Sequence, residues 1–242
     1  MDFRKAAVPK RFMVRKMGNT RNYAKELEKI IEKKAAADMG QERGPDRLLL
    51  HSCCAPCSSY VLEYLREYFD ITVFYYNPNI TENGEYQKRV QEQKRLIGEY
   101  NRQVEAQDFP GMHSTKMAHK IKSIDGDYEP ESFYRIAKGL ENCPEGGERC
   151  LKCYELRLRE TARLAARQGF DCFTTTLTIS PLKSAQKLNE AGERLGEEYG
   201  VFFLPSDFKK RDGYKRSIEL SAKFGLYRQN YCGCVYSKSG KE

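Results

Sequence analysis

The hydrophobic pattern of the first half of the chain alternates between short apolar runs and longer stretches with helical spacing. Residues 48–50 and 71–76 are apolar runs, the second rich in β-branched and aromatic side chains, and they predict strands. Apolar residues recur every three or four positions in residues 58–69 and 85–100, and this spacing predicts helices. Strands that alternate with helices in this way are typical of a parallel sheet.

The second half of the chain continues the alternation. Residues 151–168 predict a helix, residues 171–178 predict a strand, and a further helix that ends near Tyr199 leads to a strand over residues 201–204. The stretch near Val104 is a candidate for one more strand. The pattern therefore predicts an α/β fold, a parallel sheet with helices on both faces. Such sheets bind ligands at the carboxyl ends of their strands, so we expect the functional site there.

The first 46 residues form a basic N-terminal extension that contains most of the net charge of +8. Asn19 and Thr20 are suited to cap a helix, and apolar residues recur after them at helical spacing. These are Tyr23, Leu27, Ile30, Ile31 and Ala35. We expect one helix here, docked on a single α/β domain formed by residues 47–242. Its basic side chains either contact RNA or form a solvated helix face.

Composition places the chain among globular proteins. Hydrophobic residues make up 40% and charged residues 31% of its 242 residues, and it has neither an apolar run long enough to span a membrane nor a secretory signal. We therefore expect a cytoplasmic protein with no membrane partner. The moderate basic excess is compatible with a polyanionic partner such as nucleic acid.

Cysteine clustering is the main chemical signal in the sequence. Seven of the nine cysteines fall into three groups, which are Cys53, Cys54 and Cys57, then Cys150 and Cys153, and finally Cys232 and Cys234. In a reducing cytoplasm, clustered cysteines indicate metal ligands rather than structural disulfides. The two remaining residues are set aside, because Cys172 lies inside a predicted strand and Cys143 stands alone before Pro144.

The spacing within two of the groups suits metal binding. Cys150 and Cys153 are three positions apart, so a helix would place both sulfurs on one face, near a helix N-terminus whose dipole favours thiolates. Gly233 would allow the tight turn that brings Cys232 and Cys234 to one metal centre. These features alone leave open an iron–sulfur cluster, a zinc site and a thiol redox site, although seven thiols exceed the needs of one zinc ion.

Five longer runs contain these cysteines and several other polar residues. They are HSCCAPCSSYVLEYL from His51, RCLKCYELRL from Arg149, FTTTLTISPLKS from Phe173, DFKKRDGYKRSIELS from Asp207 and YRQNYCGC from Tyr227. Together, in this order, they resemble the QueH-type epoxyqueuosine reductases. The resemblance extends from about Asn22 to Ser237.

The resemblance implies a Rossmann-like architecture related to adenine-nucleotide-hydrolase-like domains. It also implies the last step of queuosine biosynthesis, in which the epoxide of epoxyqueuosine at the tRNA wobble position is reduced. The implied cofactors are a [4Fe-4S] cluster and a second iron beside it, held by family cysteines. Some family members have an aspartate where this chain has Cys57. The implied partners are tRNA that carries epoxyqueuosine in its anticodon and an electron donor whose identity the sequence does not reveal.

Two further sets of side chains in these runs are functional candidates. Candidates for the proton donor are Asp207, Tyr214 and Tyr231, although Asp207 could instead cap a turn and the tyrosines could be packed aromatics. Candidates for RNA contacts are Lys209, Lys210, Arg211, Lys215, Arg216 and Arg228, with a solvated charge run as the alternative.

Two other function classes also combine features seen here. An ATP-dependent tRNA sulfur transferase pairs a Rossmann-like sheet with cysteines, but it requires an SGGxDS-like phosphate loop, and none follows Leu50. A zinc-dependent RNA-binding module would leave several of the seven thiols without a role. Colour separates the candidates, because an iron–sulfur protein is brown and a zinc protein is colourless.

Overall fold

The computed structural model describes residues 21–38, 44–113 and 117–238. The helices are α1 (Tyr23–Asp38), α2 (Ala55–Leu65), α3 (Asn83–Ala106), α4 (Pro130–Ala137), α5 (Glu148–Gln168), α6 (Ala185–Tyr199), α7 (Gly213–Lys223) and α8 (Val235–Lys238). The strands are β1 (Asp46–His51), β2 (Phe69–Tyr75), β3 (Lys122–Asp125), β4 (Cys172–Thr175) and β5 (Phe202–Phe203).

The strands form one parallel sheet in the order β3-β2-β1-β4-β5. Successive side chains of a strand point to opposite faces, and the three leucines of β1 follow this rule. Leu48 and Leu50 pack in a core with side chains of α1, α2 and α3, whereas Leu49 packs in a second core with side chains of α5 and α6. Helices therefore cover both faces, and the predicted α/β fold is confirmed.

The strand order reverses between β1 and β4, which lie side by side at the centre of the sheet. The chain leaves β1 toward β2 on one side, and it later continues from β4 toward β5 on the other. A reversal of this kind opens a crevice at the carboxyl ends of the two strands, because the following segments turn away from each other. The residues that follow His51 and Thr175 are therefore positioned to line a site.

Some predicted boundaries differ from those observed. Val104 lies in α3 rather than in a strand, and the additional strand is β3, at the edge of the sheet. The strand predicted over residues 171–178 ends at Thr175, because the Thr175 hydroxyl accepts a hydrogen bond from the Leu177 backbone and caps a 3-10 helix (Thr176–Ile179). The helix predicted over residues 58–69 ends at Leu65, since Phe69 already belongs to β2.

Helix α1 docks on the sheet as expected from its apolar spacing. Leu27, Ile30 and Ile31 are buried in the first core, and a buried ion pair joins Lys34 to Asp46 with 3.3 Å between Nζ and Oδ2. The Asn22 side chain accepts from the Lys25 backbone at the start of the helix.

Parts of the N-terminal prediction fall outside the described residues. Asn19 and Thr20, proposed as a cap, and the side chain of Ala35 are among them. The division into an extension and a domain stays a prediction. No helix in the described ranges has the length and apolar character needed to cross a membrane.

Candidate metal centre

The site lies at the reversal point of the sheet. Immediately after β1, residues 52–54 turn into α2, whose first turn contains Pro56 and Cys57. A cavity of about 300 Å³ opens beside this turn. Its lining includes Cys53, Cys54 and Cys57 from the first cysteine group and Cys232 from the last. The topology therefore brings together segments almost 180 residues apart in the sequence.

The first cysteine group has the geometry of a metal site. The Sγ atoms of Cys53, Cys54 and Cys57 all lie within 4.8 Å of one another, and those of Cys53 and Cys54 are 3.8 Å apart. A tetrahedral ion with metal–sulfur bonds of about 2.3 Å has sulfur–sulfur edges of roughly 3.8 Å. Thr176 fixes this turn, because its hydroxyl accepts from the Cys53 backbone at 3.2 Å and donates to Cys53 Sγ at 3.5 Å. The three thiols can share one ion without a large rearrangement.

The other four thiols form a neighbouring group. Cys153, Cys232 and Cys234 belong to one apolar cluster that also contains Phe133. Cys150 lies one turn before Cys153 on α5 and interacts electrostatically with Cys232, and its sulfur accepts from the Gly146 backbone at 3.2 Å. The second and third cysteine groups of the sequence thus converge on one side of the cavity.

Gly233 shapes the segment that carries Cys232 and Cys234. Its φ of +98° belongs to a region that favours glycine, and a Cβ at this position would lie 2.6 Å from Ile80 Cγ1. The buried Arg89 side chain donates to the Cys232 carbonyl at 3.2 Å, and Asn79 Nδ2 donates to the same oxygen at 3.1 Å. The tight turn predicted from the sequence is confirmed, and these two side chains hold it in place.

Hydrogen bonds between the thiols separate their pKa values within each group. Hydrogen bonds from Cys54 and Cys57 hold the pKa of Cys53 well below its usual range, while the pKa of Cys54 is raised to about 12 by its hydrogen bond with Cys53 and by burial. A hydrogen bond from Cys234 lowers the pKa of Cys232 to about 5. The pKa values of Cys53 and Cys232 are thus lowered while those of the neighbouring thiols are raised, and thiols that are protonated in the metal-free chain release protons when metal binds.

The helix dipole does not determine the direction in which the pKa values of the two α5 cysteines shift. Burial raises the pKa of Cys153 to about 11, and burial likewise raises the pKa of Cys150. The sequence had predicted the opposite direction from the position of these residues near the start of a helix. The desolvation of a thiolate outweighs the dipole here.

The comparisons with known proteins agree with this geometry. A family model described as "Epoxyqueuosine reductase QueH" matches residues 48–240. The relative from Staphylococcus epidermidis, named epoxyqueuosine reductase QueH, is 42% identical over 227 residues, which cover 92% of this chain and 87% of the relative. The chain belongs to the QueH family of epoxyqueuosine reductases. A relative of the same name from Thermotoga maritima is 34% identical over 78% of this chain and 89% of its own.

The QueH family is a family of oxidoreductases. In this member of the family, two cationic side chains lie beside the thiols. Arg157 is buried on α5, one helical turn after Cys153, and its positive charge acts on both Cys153 and Cys53. Lys183 faces Cys53, Cys57 and Cys232; burial lowers its pKa, but the three thiols outweigh burial and the net pKa is raised. These cations favour the thiolate form of the cysteines and offset negative charge at the centre.

His51 is a core residue and not a ligand candidate. It is fully buried, its Nδ1 lies 2.8 Å from the Thr175 hydroxyl, and its Nε2 lies 3.3 Å from Arg157 Nε. Nε2 also lies 3.1 Å from the Tyr76 carbonyl, so a neutral ring either donates from Nε2 to Tyr76 or accepts at Nε2 from Arg157, and Nδ1 takes the opposite role toward Thr175. Burial and the positive charge of Arg157 lower its pKa to about 3, so the ring is neutral.

The residues predicted as proton donors lie in two different places. Tyr214 and Tyr231 line the cavity, and the Tyr231 ring lies 5.2 Å from the Arg89 guanidinium. Asp207 lies in a separate cavity next to Tyr60 and pairs with Lys209. The two tyrosines remain candidates near the thiols, whereas Asp207 is not part of the cavity that contains them.

The predicted RNA-binding residues are also divided. Arg228 is exposed and lines the cavity, and Lys210 and Lys215 are exposed with no carboxylate partner among the residues that the structure describes. In contrast, Arg216 forms two hydrogen bonds with the buried Glu63 carboxylate, at 2.9 and 2.7 Å. Arg211 is exposed but paired with a carboxylate, that of Glu28. Arg216 is therefore mainly a structural residue that joins α7 to α2.

Several polar cavity residues were not identified from the sequence, and three of them bear on the proposed chemistry. These are Arg157, Lys183 and Gln229, whose buried Oε1 accepts no hydrogen bond from the described residues. Arg157 lies four positions after Cys153, and this helical spacing could have indicated it. The other two are positioned by the 3-10 helix and by the loop after α7, and the sequence pattern shows neither.

Proposed function

We propose that this protein reduces the epoxide of epoxyqueuosine, carried at the tRNA wobble position, to the cyclopentene of queuosine. The observation that supports this most strongly is the placement of seven thiols from three distant segments at one cavity and directly next to it, in a chain of the QueH family. Four of them line the cavity, namely Cys53, Cys54, Cys57 and Cys232, and the other three group with Cys232. The relatives compared above are named epoxyqueuosine reductases. The reaction consumes two electrons and two protons, and the epoxide oxygen leaves as water.

We assign the two thiol groups to two cofactors. The triad of Cys53, Cys54 and Cys57 suits a single iron, because its sulfur separations fit one tetrahedral ion. The remaining four thiols supply the four ligands of a [4Fe-4S] cluster, and they are Cys150, Cys153, Cys232 and Cys234. When bound, such cofactors supply electrons singly and provide a Lewis acid for the epoxide oxygen.

The chain itself contributes orientation and protons. Tyr214 and Tyr231 line the cavity within reach of a ligand that enters it, and each carries a hydroxyl that can donate a proton to the leaving oxygen. Gln229 Oε1 offers an unused acceptor for an N–H group of the modified base. Asp207 is not proposed as the donor, because it lies in a different cavity.

The tRNA would approach across the exposed basic residues beside the cavity. Arg228 lies at the cavity itself, and Lys215 lies in the first turn of α7, whose Tyr214 also lines the cavity. Lys210 lies three residues before α7 and lines the separate cavity that contains Asp207. Phosphate contacts from such residues position an RNA without reading its sequence, and an exposed aromatic ring can stack on an extruded base. Lys209, Arg211 and Arg216 are paired with carboxylates, so we expect smaller contributions from them.

The test is a single-turnover reduction. Anaerobically reconstituted protein is incubated with dithionite and tRNA that contains epoxyqueuosine, and the nucleosides are then analysed by mass. We expect queuosine to form, and we expect more than four irons with about four acid-labile sulfides per chain. An active preparation that contains stoichiometric zinc and no sulfide would contradict the proposal and favour a zinc protein.

The assignment of Cys57 has its own test, based on the aspartate that some family members have at this position. Cys57→Asp should keep the full iron content, because a carboxylate is also an iron ligand, whereas Cys57→Ala should lose one iron and keep about four sulfides. Loss of sulfide in Cys57→Ala would move this residue to the cluster.

A further inference from the structure

Arg157 is a buried cation, and none of the described residues gives it a carboxylate partner. Its side chain is only 3% exposed, and its hydrogen-bond partners are the neutral groups Asn77 Oδ1 and His51 Nε2. No ion pair with Asp or Glu is found for it within residues 21–38, 44–113 and 117–238. A buried charge without a counter-ion is strongly unfavourable, so the fold must supply negative charge nearby.

The negative charge comes from the thiols on both sides of the guanidinium. Arg157 follows Cys153 by one helical turn on α5, and it lines the same cavity as Cys53 and Cys232, so its charge acts on thiols of both groups. His51 and Asn77 hold the guanidinium in this position from the ends of β1 and β2. The same cation thus serves both thiol groups.

We propose that Arg157 is the counter-ion of the metal centre and that it raises the reduction potential of the bound cluster. Reduction adds one negative charge to a site that already holds several thiolates. A buried guanidinium stabilises the more negative state more than the less negative one, and hydrogen bonds to cluster sulfurs act in the same direction. This inference rests on the proposed function, because it requires an iron–sulfur cluster at these cysteines.

The role is one of positioning charge and not of reacting with the substrate. Arg157 is only 3% exposed at the wall of the cavity, and its hydrogen bonds go to the side chains of His51 and Asn77 at the strand ends. A change at Arg157 should therefore alter the ease of cluster reduction even in the absence of tRNA. This effect can be measured without the catalytic reaction.

The experiment is a redox titration of anaerobically reconstituted protein, followed by electron paramagnetic resonance, on wild type, Arg157→Lys, Arg157→Gln and Arg66→Met. Arg66 is a matched control, since it is also a fully buried arginine but binds Tyr100 O and Gln103 Oε1, away from the thiols. Iron, sulfide and circular dichroism are recorded for every sample.

We expect Arg157→Gln to lower the ratio of reduced to oxidised cluster at least tenfold at a fixed potential, which is a shift of about 59 mV for one electron. Arg157→Lys keeps the charge and should shift much less, and Arg66→Met should not shift at all. Equal midpoint potentials in wild type and both Arg157 variants would overturn the inference, as would an equal shift in Arg66→Met. If Arg157→Gln fails to retain its cluster, a wild-type potential in Arg157→Lys together with loss of iron in Arg157→Gln still supports the counter-ion role.

The outcome is separable from that of the proposed function. If wild type reduces epoxyqueuosine and all potentials agree, only the role of Arg157 is wrong. If wild type shows no cluster signal, the proposed cofactor fails and the inference fails with it.

Discussion

Replacing Gly233 by alanine should dislodge the Cys232–Cys234 segment and empty the metal centre. At φ +98°, a Cβ would lie 2.6 Å from Ile80 Cγ1 and 3.2 Å from Arg89 Nη1. Ile80 is itself buried, so the new methyl group cannot simply displace it toward solvent. We expect the backbone of the segment to shift instead.

The magnitude follows from two separable costs. A positive φ costs an L-residue about 1–2 kcal/mol, and overpacking of a filled site costs a further 1–3 kcal/mol or so. Gly169→Ala isolates the first cost, because Gly169 has a φ of +68° and open space where its Cβ would be. Gly233→Ala should therefore lose about 2–5 kcal/mol of unfolding free energy and Gly169→Ala only about 1–2 kcal/mol. In a chain of this size each kcal/mol corresponds to a fall of about 2–4 °C in Tm.

Thermal unfolding of the metal-free proteins by circular dichroism measures the stability, and iron and sulfide analysis after anaerobic reconstitution measures the site. Gly169→Ala should bind iron and sulfide as wild type does, whereas Gly233→Ala should bind much less of both. The reasoning is refuted if Gly233→Ala is as stable as Gly169→Ala and holds a full complement of iron and sulfide.

Three further predictions concern single side chains. Cys153→Ala should lose the visible absorbance and all epoxide reduction. Cys172→Ala, a change in the core of the sheet, should lower the free energy of unfolding by on the order of 1 kcal/mol and keep its colour. A brown, active Cys153→Ala protein would exclude Cys153 as a ligand. Lys210→Ala should weaken tRNA binding and flatten the slope of log binding constant against log salt concentration by roughly 0.7 to 0.9. Arg211→Ala should have a smaller effect on both, because Arg211 is paired with Glu28. Unchanged slopes in both variants would show that this basic run is a solvated turn that does not contact RNA. The pKa of His51 is lowered from 6.5 to about 3, so the unfolded chain gains a proton that the folded chain does not. This group's contribution to stability should therefore be lost at roughly 1.4 kcal/mol per pH unit as pH falls below about 6.5, and urea titrations should show a shallower pH dependence in His51→Gln.

The strands that the sequence predicts are the ones buried on both faces. Residues 48–50 and 71–76 are continuous apolar runs because helices cover both sides of β1 and β2. Strand β3 (Lys122–Asp125) lies at the edge, its side chains are mostly exposed, and its sequence has no apolar run to indicate it. The end of β4 was missed for a different reason, since threonines suit a strand and also cap the turn that terminates it.

The grouping of the thiols could be predicted because clustering in sequence is visible without a structure, and their role as metal ligands stays a prediction. The carboxylate partners of the basic residues between 209 and 216 could not be predicted. Arg216 resembles a free cation in the sequence, but its carboxylate partner Glu63 lies 153 positions earlier, and only the packing of α7 on α2 brings the two together. The burial of the Arg157 side chain could not be predicted either, because the sequence does not show which arginines are removed from solvent when the chain folds.

The wide separation of the thiols has a consequence for the order of assembly during synthesis. A ribosome that has translated the chain through α5 has supplied Cys53, Cys54, Cys57, Cys150 and Cys153, but not the last two ligands. The triad can therefore bind an ion at an early stage, whereas the four-thiol group is complete only after residue 234 has left the exit tunnel. Before that point, the four-thiol group would be an incomplete site whose thiols are open to oxidation. If these four thiols hold the proposed cluster, its loading must follow the folding of the C-terminal segment.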